Sequence, residues 1–146
     1  MQLNKGIKIT RVLNAVPAGT TDQNGSILDM QGYEGVLFVA LLGALTATQV
    51  TALHAQQDTD VAGGTMADLL GSSVGPLADG DGNKCLVLDV YKPRERYVRC
   101  VLDRATANAV IDGVIAIQYS ARERPTAHAA SVAFSESHVS PAEGTA

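Results

Sequence analysis

"KCLVLDVYKPRERYVRCVLD", residues 84–103, is the stretch that decides the fold. Two runs of alternating apolar and polar residues flank a break at Pro93-Arg94-Glu95. A period of two is the mark of a strand with one buried face. The pattern predicts a hairpin with Leu86 facing Leu102, Leu88 facing Cys100 and Val90 facing Val98. That face is wholly apolar, and the other pairs Val87 with Val101, Asp89 with Arg99 and Tyr91 with Tyr97. A slip by one residue would carry Arg99 onto the apolar face, so the register is strongly specified. Lys92, Arg94 and Arg96 then cluster at the tip. Cys85 and Cys100 point to opposite faces, which excludes a disulfide between them.

The same alternation runs through the rest of the chain. Residues 7–16, 26–30, 36–42, 48–57, 65–70, 84–91, 96–103 and 111–119 read as short strands separated by Gly, Pro, Asn and Asp turns. Asn24-Gly25 reads as a turn. Residues 36–42 are apolar at every position, as expected of a central strand covered on both faces. Residues 104–110 suit one helical turn, and no segment sustains a helical period. The expectation from the pattern is an all-β protein of about eight strands, a sandwich or barrel. It comprises an N-terminal arm at 1–6, a sandwich at 7–121 and an extended C-terminal tail at 122–146.

Composition narrows the functional classes. The 146 residues are 46% hydrophobic but only 4% aromatic, with no Trp, so one domain with an aliphatic core is expected. A net charge of −4 opposes general attraction to nucleic acid or an anionic membrane. The longest apolar stretch, residues 36–45, falls well short of the roughly 18–20 needed to span a bilayer. The N-terminus lacks the apolar core of a signal peptide. Two cysteines without metal spacing suit a reducing cytoplasm during synthesis, where the Asn24-Gly25-Ser26 sequon stays unmodified.

Motifs for chemistry are sparse. Asp79–Asn83, "DGDGN", has oxygen ligands at alternate positions like a calcium loop, but Lys84 stands where Gly belongs and Val90 where Glu belongs. A polar turn is the better reading. Gly71–Gly75, "GSSVG", matches a nucleophile elbow around Ser73, with Asp103 or Asp112 and His128 following in order. Pro76 opposes the helix such an elbow requires. A cupin-type metal site needs clustered histidines, and His54, His128 and His138 are far apart in sequence. His54 reads as a half-buried strand residue. The expectation is a protein without catalytic residues, metal or cofactor, and not an enzyme. The basic tip lacks the aromatic platform of a nucleic-acid site.

From Arg122 onward large apolar residues are few, and alone such a segment cannot offset its ordering entropy. It reads either as a frayed end or as an arm that orders against a partner through Val132, Phe134 and Val139. "ILDMQGYEGVLFVALLGAL" (27–45) and "YKPRERYVRCVLDRATANAVIDGVIAIQYSAR" (91–122) resemble small head proteins of tailed bacteriophages, the capsid cement or decoration proteins of jelly-roll type. "ALHAQQDTDVAGGTMADLLGS" (52–72) fits the same pattern, so the likeness spans most of residues 7–122. The resemblance implies a protein on the outside of a virion capsid, made in the host cytoplasm, that bridges neighbouring major-capsid-protein subunits and stabilises the head. It also implies a single jelly-roll-like antiparallel β-sandwich of about eight strands, and a dimer or trimer with termini reaching over adjacent subunits. Lys5, Lys92, Arg94, Arg96, Arg122, Arg124, Val132, Phe134 and Val139 are the candidate contacts. The alternative is a jelly-roll module of a tail or fibre that recognises a carbohydrate or receptor, against which the lack of Trp and the four tyrosines weigh. A small β enzyme is a third reading, weakened by the missing histidine cluster.

Overall fold

The computed structural model describes residues 2–145, so Met1 and Ala146, the outermost residues of arm and tail, lie outside the described part. Apart from one 3-10 turn at Leu3–Lys5, regular structure is all strand. The strands are β1 (Lys8–Leu13), β2 (Val16–Gly19), β3 (Gln23–Asn24), β4 (Leu28–Asp29), β5 (Gly35–Leu45), β6 (Val50–Asp58), β7 (Ala67–Asp68), β8 (Cys85–Tyr91), β9 (Tyr97–Ala105) and β10 (Ala109–Tyr119). A first antiparallel sheet has the order β1-β10-β5-β8, with β2 also on β10. A second has the order β3-β9-β6-β7, with β4 also on β9. With β1/β2 and β3/β4 taken as interrupted strands, the chain changes sheet at every connection except β6 to β7. That wrapping is the jelly roll.

The core lies between the sheets and is aliphatic around Phe38. Val36, Phe38, Leu42, Ile111 and Val114 enter it from the first sheet, and Leu53, Val98, Cys100 and Leu102 from the second. Burial holds the Cys100 thiol up at about 12, and both cysteines are free. Cys85 is exposed on the first sheet, whereas Cys100 sits inside from the second.

The expected hairpin does not form. β8 pairs with β5, with Leu88 opposite Phe38, and β9 pairs with β6, with Leu102 opposite Leu53. The rows Leu86/Leu88/Val90 and Val98/Cys100/Leu102 do face inward as read, but from opposite layers. The residues between them carry the chain across the sandwich, with Lys92 in the left-handed region at φ 50°. Asp89 therefore accepts from the Tyr119 hydroxyl at 2.7 Å, while Arg99 donates to Gln56 Oε1 at 2.7 Å. The Tyr119 ring lies across Gly35, where a Cβ would meet it. Burial, then the hydrogen bond to Asp89, push its hydroxyl up to about 12.

Three other readings change. β5 is covered on one face only; the side chains of Leu37, Val39 and Leu41 point out of the sandwich. Residues 104–110 form no helical turn; β9 and β10 are joined by a tight link with Thr106 at φ 69°. Asn24-Gly25 is not a hairpin turn, because Gln23 and Asn24 pair with Leu102 and Val101 of β9. Gly25 serves close approach instead. Its N–H donates to the Cys100 carbonyl at 2.8 Å, and an added Cβ would sit 2.7 Å from Cys100 Sγ. Gly25→Ala should therefore lower stability by about 1–3 kcal/mol through overpacking, measured by urea unfolding. A loss below about 0.5 kcal/mol, the size of an ordinary surface change, would contradict this close fit.

At the far end from the tip, Arg104 points inward from β9 and is only 4% exposed. Its Nε donates to Thr21 O at 2.8 Å, and its Nη1 to Pro17 O at 3.0 Å and Ala109 O at 2.8 Å. The peptide N–H of Arg104 donates to Asp22 Oδ1 at 2.9 Å. One cation thus binds the crossover from β2 to β3 against both sheets.

Candidate functional site: the basic end and the C-terminal arm

Strand directions bring four segments to one end of the sandwich: residues 2–7, 30–34, 92–96 and 120–125. Lys92, Arg94 and Arg96, joined by the sequence-distant Arg122, line one open groove of about 570 Å³ there, together with Glu34 and Glu95. Their local roles differ. Arg96 forks onto Asp29, donating through Nε at 2.8 Å and Nη2 at 2.7 Å, and also donates to Gln31 Oε1. That planar two-point match is the strongest form of the interaction. It holds the Asp29 carboxyl below its ordinary range. Arg96 is therefore a brace between β4 and β9, not a free tip residue.

Lys92 and Arg94 keep the tip character. The Lys92 ammonium lies 5.1 Å from the Tyr91 ring centre, and its peptide N–H donates to Glu34 O at 2.7 Å. The Arg94 peptide N–H donates to Gln57 Oε1 at 3.2 Å, and its side chain is exposed. Arg122 is fixed through its N–H to Gly32 O at 3.0 Å. Lys5 and Arg124 line a second groove of about 400 Å³ with Gln2, Gly6 and Pro125.

Beyond Arg124 the tail turns back along the outer edge of β1. Thr126 N–H donates to Lys5 O at 3.0 Å, Ile9 N–H to His128 Nδ1 at 3.1 Å, Ala129 N–H to Ile9 O at 3.1 Å, and Arg11 N–H to Ser131 Oγ at 2.9 Å. Asn4 closes the clasp. Its Nδ2 donates to Ser135 Oγ at 2.7 Å and Ser137 Oγ at 3.0 Å, and its Oδ1 contacts His128 Nε2. The arm thus occupies backbone groups that an edge strand otherwise offers to any passing chain. Val132 is half-buried on it, while Phe134 is 94% and Val139 86% exposed. The structure separates the sequence-predicted residues into the tip groove, the Lys5/Arg124 groove and the arm.

Nothing in the sequence marks Asn4, His128 and Ser131 as clasp residues. The clasp's one legible signal is Ser135 and Ser137 at alternate positions, which puts two hydroxyls on the same side of an extended segment.

Elsewhere the acidic motifs are used locally. Asp79 accepts the Thr48 N–H through both oxygens at 2.9 and 3.0 Å. Asp81 accepts from Ala78 N–H at 3.0 Å and from Lys84 Nζ at 2.6 Å, so "DGDGN" is a polar turn. Ser73 lies in a loop beside the second sheet, followed by an isolated bridge from Val74 to Leu53. His128 is bound into the edge of the first sheet, so the esterase constellation does not assemble. On the outer face of the second sheet the half-buried His54 ring lies between Asp103 (Nδ1, 2.8 Å) and Asp68 (Nε2, 3.1 Å). Gln56 donates to the same Asp68 oxygen at 2.7 Å, which ties β7 to β6. No group of His, Cys, Asp and Glu among the described residues is arranged to hold a metal ion.

No family model matches this chain, and no curated protein matches it either.

Proposed function

We propose that this chain is a structural protein of a bacteriophage head, which binds the outside of the shell and ties neighbouring major-capsid subunits together. The observation that carries this reading is the C-terminal arm. It is held by hydrogen bonds as far as Ser137, yet it presents Phe134 and Val139 to solvent. A single exposed apolar side chain is ordinary. Two on one arm, together with the exposed Lys92 and Arg94 of the basic end, supply apolar anchors and charge for contacts with a partner. Docking on a symmetric lattice amplifies modest contacts of this kind, because each copy bridges several subunits at high effective concentration. The jelly roll supplies a rigid body that carries the arm along the edge of β1 and the tip at its basic end.

The test is co-sedimentation of purified chain with empty phage shells, alongside shell melting. Phe134→Asp with Val139→Asp should reduce bound copies at least about tenfold, the equivalent of about 1.4 kcal/mol per site. Both side chains are exposed, so the variant's own unfolding should be unchanged. Lys92→Glu with Arg94→Glu should weaken binding in a salt-dependent way. Arg96 is unsuited to this test because its replacement would break the brace to Asp29. Full occupancy by the Phe134/Val139 variant would remove the arm from the binding surface. Absence of wild-type binding to shells would remove the reading as a whole.

A further inference from the structure

We propose that the outer face of the first sheet seats a second copy of this chain, in a two-fold dimer that is independent of any shell. Cross-strand register builds the face row by row. Ile9, Ile117 and Leu37 lie side by side in one row, and Ile115, Val39 and Val87 in the next. They point outward because their neighbours Val36, Phe38, Ala40, Val114 and Ala116 fill the core. Leu41 and Val87 are 44% and 48% exposed, so the side of the patch nearest β8 is open to solvent. Four strands at about 4.8 Å spacing and about six residues at ~3.4 Å rise give an area of roughly 400 Å². That footprint, apolar except for one charged position in each of the two rows, matches the largest patch of a typical monomer, and such patches are often functional.

Charge selects the occupant. In these two rows the charged positions are Arg11 on β1 and Asp89 on β8, at opposite edges of the sheet. A two-fold axis lying between two such faces, parallel to the strands, lays each β1 edge over the other copy's β8 edge. Each Arg11 then comes to the side of the partner's Asp89, and the aliphatic rows meet in the middle. A self-complementary arrangement of this kind is what an isologous interface requires. Sheets stack face to face at about 10 Å with their strands nearly aligned. Two faces with their side-chain relief then bury about 1,000 Å² or somewhat more, the lower range for a specific interface. The β1 edge is already closed by the arm through Ser131 and His128, so the partner approaches the face and not that edge.

Sedimentation velocity on the full chain across micromolar concentrations is the experiment. Wild type should sediment at twice the chain mass. Leu41→Glu with Val87→Glu should shift the monomer–dimer midpoint by at least about 100-fold, because two carboxylates per copy would be desolvated. Far-UV circular dichroism and thermal unfolding would show that the variant is folded. Arg11→Asp and Asp89→Arg should each weaken the dimer about tenfold, and the double exchange should restore it. A wild-type chain that remains monomeric overturns the proposal and leaves the face to an unlike partner. A dimer that tolerates Leu41→Glu with Val87→Glu also overturns it, by placing the contact elsewhere. A double exchange no tighter than either single change would overturn the two-fold arrangement. None of these results depends on shell binding, so this interface and the proposed function fail separately.

Discussion

Arg104→Leu should destabilise the protein by about 3 kcal/mol or more, a loss that ordinary surface substitutions never approach. Leucine fills part of the space but leaves the carbonyls of Thr21, Pro17 and Ala109 without the donors they now use. Hydrogen bonds to a charged group each contribute about 1.5–3 kcal/mol, and an orphaned buried acceptor adds its own desolvation cost. Arg104→Lys should recover only a fraction, because an ammonium is a point donor and cannot span carbonyls in both the first sheet and the β2–β3 crossover. Denaturant unfolding of the two variants reads the effect. A loss below about 1 kcal/mol for the leucine variant would mean that water replaces the guanidinium at no cost.

Phe38→Ala should cost about 3–5 kcal/mol, the range for removing a large aromatic side chain from a packed core. Phe38 is fully buried in β5, between Ala116 on β10 and Leu88 on β8. Its strand neighbours on both sides are aliphatic and held in the sheet, so they close only part of the cavity. Phe38→Leu keeps most of the volume and should lose about half as much. Urea midpoints for the series give the answer. Equal losses for Ala and Leu would point to a packing role specific to the ring.

Much of this was legible in the chain, and the boundary is a physical one. Alternation showed which way Leu86, Leu88, Val90, Val98, Cys100 and Leu102 face, because a strand side chain has only two directions to choose from. It was silent on which strand lies alongside, since identical alternation serves a hairpin and a crossing between layers. Asn24-Gly25 misled for a related reason. Glycine there provides room against Cys100, and a sequence shows the missing Cβ without showing what fills its place. The apolar run of β5 reads as burial on both faces, yet Leu37, Val39 and Leu41 lie on the sheet's outer side, because period-two alternation cannot show whether a second layer covers that side. At the tip, proximity in sequence grouped Arg96 with Lys92 and Arg94. Asp29, 67 positions away, separates it from them. The arm's clasp was out of reach for the same reason, since Asn4 and Ser135 are 131 positions apart.

The order of strands also bears on how the protein is made. The second sheet draws only on residues up to Ala105, so a growing chain has all its strands in hand before the first sheet can be completed. The first sheet waits for β10, the last strand to leave the ribosome and the one that lies between β1 and β5. Until Ala109–Tyr119 emerges, β1 lacks its neighbour and the aliphatic side of the finished layer stays uncovered. The final strand therefore acts as a keystone. Contacts joining the two ends of the chain are the slow ones to form, and a nascent chain stalled before β10 exposes the apolar surface that chaperones recognise.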